Sequence, residues 1–220
     1  MDGGKTALAV GLLGDLADGL ELPLAFIRAI ETLKKERDFG KELSDDDRRV
    51  LWAAEQGLRQ VEAVRLVVGA DSLTPEPVAV RGVVEEVQVE FGQFWRLVGE
   101  EPRPKMPREQ LLVDVNRQVL RCFLMTLLTE SLQFTIMGQV FAKRVRGKIM
   151  VGVRDFGPAL PRGVNLTSGQ TLPLRPKSRV AFGVINELVR VMQTSLQATR
   201  HRDGVSFFVL LPESRQARLW

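Results

Sequence analysis

From Leu13 to Leu33 apolar residues recur every three or four positions: Leu13, Leu16, Leu20, Leu24, Ile27, Ile30 and Leu33. That spacing lays one stripe along a helix. The charged stretch KKERDFGKELSDDD follows. Within it Ser44 is placed to cap a second helix, with Asp45 to Asp47 in a first turn where the helix dipole favours negative charge. The second helix runs through RRVLWAAEQGLRQVEAVRLVV, with Val50, Ala54, Leu58, Val61, Val64 and Val68 on one face. Two helices joined by a short loop make a helical hairpin. Each stripe has little within the hairpin to cover it, and two hairpins can pair into a four-helix bundle. A homodimer is therefore expected; the alternative is that the stripes pack on the rest of the same chain. Pro23 interrupts the first helix, at a cost of roughly 3 kcal/mol in a regular one.

The pattern changes after DSLTPEPVAV, whose Pro75 and Pro77 mark a linker or extended segment and a domain boundary. Residues 1–72 are read as the hairpin domain and 73–220 as a second domain. There, helices are expected over 80–97, 116–133 and 180–196. QLLVD reads as a short strand whose Asp114 caps the helix after it. Alternation in GQVFAKRVRGKIMVGVRDFG predicts two strands about a turn at VRGK. ATRHRDGVSFFVLLP closes the chain with a hairpin turn at Asp203-Gly204 and a buried strand. This mixture predicts an α+β fold, with a two-layer α/β sandwich after the hairpin.

Composition narrows the function. The 220 residues are 45% hydrophobic and 26% charged, which is globular composition. A net charge of +4 is too mild to argue for nucleic acid, and no Lys/Arg run makes a phosphate-binding stripe. The basic cluster Lys143, Arg144, Arg146 and Lys148 reads as a solvated hairpin or a partner patch. The lone cysteine, Cys122, lies in an apolar run and reads as a core residue in a reducing compartment. No apolar stretch is long enough for a membrane span, and the acidic N-terminus makes a poor secretory signal. A cytoplasmic protein without membrane contact is expected. The only histidine, His201, is expected at the surface of the last hairpin. One histidine rules out a multi-histidine metal site, and no metal centre is predicted.

The order of these elements resembles the core of sensor histidine kinases: a dimerisation and phosphotransfer hairpin, then an ATP-binding domain of the gyrase/histidine-kinase/MutL type. Histidine phosphotransferases share that plan. The resemblance rests on four motifs. The family's first helix carries His-Glu-Leu-Arg-Thr-Pro-Leu, and here DGLELPL matches it at Leu20, Pro23 and Leu24. Asp18 stands where the phosphoaccepting histidine would be. The family's helix bends at this proline, which accounts for Pro23. In VDVNRQVLRCFLMTLLTESLQFT, the family's Asn-rich helix is matched at Leu127, Leu128, Leu132, Phe134 and Thr135. Its two asparagines fall on Thr126 and Glu130. DFGPALP retains Asp155, Gly157 and Pro161 of the adenine-holding motif, with Ala159 in place of its second glycine. The phosphate-lid glycines fall on Arg179 and Ala181 in SRVAFGVINELV.

What the resemblance implies is a nucleotide-site remnant at Glu130, Asp155 and Gly157. Glu130 could hold a metal, cap polar groups or form a local ion pair; Asp155 could recognise adenine or serve a turn. Asp18 could be a substitute acceptor, a charge mimic or a solvated helix residue. By the same resemblance, a response-regulator receiver domain would dock on the first helix at Asp18, Glu21, Pro23, Ile27 and Arg28. The expected function is a non-catalytic, dimeric adaptor or regulator of two-component-type signalling, with no cofactor. The alternative is an ATP- and Mg²⁺-binding kinase or phosphotransferase with an atypical site.

Overall fold

The computed structural model describes residues 57, 59, 61–69, 73–98, 104–134, 138–156 and 176–215; the side chains of 93–98, 130–134 and 176–181 lie outside the description. The chain divides into two compact units between Val61 and Glu62. The first unit lies almost wholly outside the described residues, and with it Asp18, Glu21, Pro23, Ile27 and Arg28.

The second unit begins with a helical stretch, 62–68, that packs Ala63 into the core. Strand β1 (Glu76–Ala79) follows, then helix α1 (Val80–Val98), β2 (Leu112–Val115), α2 (Arg117–Phe134), β3 (Gly138–Val145), β4 (Lys148–Asp155), α3 (Pro176–Val191), β5 (Gln197–His201) and β6 (Gly204–Pro212). β3 to β6 form an antiparallel sheet in the order β3-β4-β6-β5. β1 and β2 form a separate two-stranded ladder, joined to β6 where the Ser214 amide donates to Leu112 O at 2.9 Å. The Pro77 region, read as extended, is thus a paired strand; Pro77 lacks an N–H, which suits this ladder's outer strand. At the outer edge of β3, Lys105 lies parallel to the strand, its amide donating to Val140 O at 2.9 Å and its carbonyl accepting from Ala142 at 3.1 Å.

α2 organises the core. Val119, Leu120, Cys122, Phe123, Leu124, Met125, Leu127 and Leu128 are all buried. At about 100° per residue they cover most of the helix circumference. The helix packs on β3 and β4 and also against α1 and α3. Its polar exit is Arg121, whose Nε donates to Glu90 of α1 at 3.1 Å while Nη1 lies 3.3 Å from Glu62. One turn earlier Arg117 pairs with Glu86, so α1 and α2 run parallel in a fixed register. Asn116 caps α2, its side-chain oxygen accepting from the amides of Gln118 and Val119 at 3.1 and 3.2 Å. The expected cap, Asp114, instead sits in β2 opposite Pro77. Asn116 directly precedes the helix, whereas Asp114 lies within the β2 ladder.

Backbone geometry explains the remaining boundaries. The β3–β4 connection is the two-residue turn Arg146-Gly147, with φ of 50° and 76°. Two positive φ values match the right-handed twist of a tight hairpin. α3 stops at Val191, short of the expected 196. Gln193 adopts φ 54°, and its amide and that of Thr194 bond back to Arg190 O and Val189 O at 2.9 and 3.1 Å. This is a Schellman C-cap with glutamine where glycine is favoured. Thr194 then fastens the helix end to the sheet, its hydroxyl donating to Leu210 O at 3.0 Å.

Gly152, in the middle of β4, faces Phe141 and Phe208 on the neighbouring strands. A Cβ there would come within 2.0 Å of Phe207 O. Gly152→Ala should therefore destabilise the fold by about 3 kcal/mol or more, read as a fall in the urea midpoint. Gln193→Gly removes the left-handed strain and should raise stability by about 0.5–1 kcal/mol in the same assay; an unchanged midpoint would mean that the cap stores no strain.

Candidate functional site

The connections bring three elements to one end of the sheet. Asp155 ends β4, paired with Gly138 at the start of β3 and with Val205 near the start of β6. From Phe134, the last residue of α2, to Gly138 the chain can span at most roughly 14 Å. Glu130 precedes Phe134 by about 6 Å of helix axis. The carboxyl end of α2 is therefore held at the Asp155 end of the sheet. α3 runs the other way. Phe182, in its first half, packs edge-on against Phe207 of β6 at 5.6 Å, while its far end is tied through Thr194 to Leu210. Its N-terminal half thus also lies toward Asp155.

Glu130, Asp155 and the start of α3 accordingly share one end of the domain. Gly157 and Ala159 lie outside the described residues, and so do the side chains of Glu130, Arg179 and Ala181. Asp155 is half-buried, on the face of the sheet that α2 covers. Thr126, at the other asparagine position, is 7% exposed, and its hydroxyl donates to Cys122 O at 2.8 Å. Thr129 does the same toward Met125 O, also at 2.8 Å. Both hydroxyl protons are spent inside the helix, as Ser and Thr do when buried mid-helix. An asparagine at position 126 would instead carry two amide donors and an acceptor farther from the backbone.

The exit of β4 is braced by a residue the sequence reading did not single out. Arg154 donates from Nη2 to Asp203 Oδ1 at 2.8 Å, and its guanidinium carbon stands 4.7 Å from the centroid of the Phe156 ring. The signal was present in KIMVGVRD: alternation puts Arg154 and Asp155 on opposite faces of the sheet. The Asp203 carboxyl is held below its ordinary value, first by its own backbone amide and then by Arg154 and His201. His201 is half-buried rather than fully exposed, with Nε2 2.8 Å from Ser206 Oγ. That contact locks the last hairpin, since the imidazole reaches across the turn to the facing strand. Among the described residues no cluster of side chains could hold a metal ion, and no helix is long and apolar enough to cross a membrane.

This geometry can be compared with known structures. The catalytic domain of histidine kinase ThkA matches 63% of the chain with 97% of its own length, at 17% identity and a TM-score of 0.54. The described domain has the histidine kinase catalytic fold. Histidine kinase AdeS of Acinetobacter baumannii matches at 15% identity and TM-score 0.58, covering 90% of this chain and 98% of its own. Full-length ShkA, solved with AMPPNP, matches at 18% identity and TM-score 0.61, covering 92% of this chain and 45% of its own. A complex of ThkA with response regulator TrrA matches at 15% identity and TM-score 0.60, covering 98% of this chain and 66% of that one. No protein-family model matches the chain, and no curated protein matches it in sequence.

Within this histidine kinase catalytic fold the lone thiol is inert. Cys122 is 2% exposed, and burial, helped by the charge of Glu62, pushes its pKa up to about 12. An acid whose pKa is higher folded than unfolded stabilises fully below its unfolded value, about 8.5, and loses that contribution as pH rises toward the folded one. The native protein should therefore resist alkylation at neutral pH. Its stability should fall above pH 9 by up to about 1.4 kcal/mol per unit relative to Cys122→Ala, measured by urea unfolding across pH. Parallel pH profiles for the two proteins would show that the thiol is not desolvated.

Proposed function

We propose that the chain is a non-catalytic, histidine-kinase-like regulator. In this reading a hairpin domain, residues 1–72, forms a homodimer and docks a signalling partner such as a receiver domain. The docking surface is the first helix at Asp18, Glu21, Pro23, Ile27 and Arg28, and Asp18 replaces the phosphoacceptor. The ATPase-like domain, 73–220, acts as a folded frame in a cytoplasmic protein.

The observation that carries the loss of catalysis is Thr126. On a helix that would offer amide side chains to a metal–nucleotide complex, this hydroxyl is buried and turned onto Cys122 O. Glu130 adds a carboxylate at the other position, where phosphates would meet like charge. Arg179 and Ala181 replace the lid glycines, so the backbone is not freed to wrap phosphate. The kinase–regulator complex of ThkA supports a receiver-type partner. A second reading, an atypical ATP-binding protein, draws on Asp155 at the Glu130 end of the sheet and on the AMPPNP-bound state of ShkA.

Calorimetric titration with ATP and Mg²⁺ decides between them. No binding in the micromolar range is expected, and micromolar binding would establish the second reading. Independently, Ile27→Asp or Arg28→Glu should weaken capture of a receiver domain while leaving the circular-dichroism melt unchanged; undiminished capture would move the interface off the first helix.

A further inference from the structure

The face of the four-stranded sheet turned away from the helices has a chemistry that neither the core nor the nucleotide-site remnant uses. Alternation along β3, β4 and β6 brings Phe141, Met150 and Leu210 to this face, each partly exposed. Lys143 and Lys148 stand exposed beside them, with Arg146 exposed at the hairpin tip. No strand position on this face carries a carboxylate.

The nearby acids are committed elsewhere. Arg144, on the opposite face by alternation, holds both Glu109 and Glu213 at 2.6 Å. Lys143, Arg146 and Lys148 have no ion pair among the described residues. Arg146 also occupies a left-handed position, φ 50°, where Asn or Gly would cost less. A cation is thus kept at the tip of the hairpin against the backbone's preference. A solvated hairpin explains the lysines alone, but not the partly exposed apolar residues in line with them.

We infer that this outer face is a docking surface for an acidic amphipathic helix of a partner protein. A helix lying along the sheet would cover Phe141, Met150 and Leu210 with its apolar side and bring carboxylates to Lys143, Arg146 and Lys148. A sheet face buries apolar area most readily against a helix or a second sheet. Charge complementarity selects an acidic one and speeds its encounter. The face suits single-stranded nucleic acid poorly, because Phe208 is 6% exposed and tilted 60° from Phe141, which leaves no pair of flat rings for bases.

The test uses the full chain and a fluorescently labelled synthetic helix with leucines on one side and glutamates on the other, read by anisotropy at low salt. Binding is expected. It should weaken by about tenfold in the double variant Lys143→Glu/Lys148→Glu, whose exposed sites leave the thermal melt unchanged. It should also weaken in Met150→Gln and at high salt. The inference is overturned if the acidic helix does not bind, if a lysine-for-glutamate version binds equally, or if the double variant binds as well as the native chain. It is also overturned if oligo-dT or anionic phosphatidylserine vesicles bind through Lys143 and Lys148 while the helix does not.

Discussion

The described domain depends on the burial of α2 on nearly every side. A helix this apolar needs a sheet beneath it and helices on both flanks, and β3, β4, α1 and α3 supply them. Each fully buried large side chain contributes about 1.5–3 kcal/mol. Arg121, which reaches Glu90 and Glu62 together, and Arg117 on Glu86 then determine how the flanking helix must run. Burial would lower the Arg121 pKa; the hydrogen bond and charge of Glu90, with Glu62, outweigh that and raise it, so the guanidinium stays charged in its partly buried position. A pair this exposed contributes little to stability by itself. Its effect is to fix register between α1 and α2.

The same constraint bears on chemistry. A helix buried all round can present a ligand-facing group only near its ends or through long side chains. Thr126 has neither advantage: its short hydroxyl is absorbed by the helix backbone. Glu130, nearer the carboxyl end, shares the end of the sheet with Asp155. A frame that binds no nucleotide can keep this shape, since apolar packing rather than the site residues holds α2 in place. The outer face of the sheet lies away from that packing, and Lys143 and Lys148 stand exposed on it without an ion pair among the described residues.

Much of the fold was legible in the sequence. The alternation of KIMVGV, the buried strand at FFVLLP, the helices α1 and α2, and the turn at VRGK all found their places. The segment at Pro75 and Pro77 read as a linker or an extended segment; it is extended, but paired, because this ladder needs only one side of it. α3 read five residues too long because Gln193 hides a C-cap that glycine would have announced. Asp114 read as a cap because its side chain suits one, but the neighbouring strand claimed its position. Strand pairing overrode a local preference at Pro77 and Asp114, while at Gln193 a local cap formed without its usual residue.

The sequence by itself determined which residues are apolar and at what period, and hence two layers with α2 between its neighbours. It also determined which residues stand at the motif positions of the resemblance, because Thr126, Glu130, Arg179 and Ala181 can be read without coordinates. Only the tertiary structure decided where unspent groups point. The Thr126 hydroxyl turns inward, Arg154 braces Asp203 and Phe156, Arg144 takes both nearby glutamates, and Lys143 and Lys148 have no ion pair among the described residues. Local sequence sets period and propensity, whereas pairing between charges thirty to seventy residues apart exists only once the sheet has brought them together.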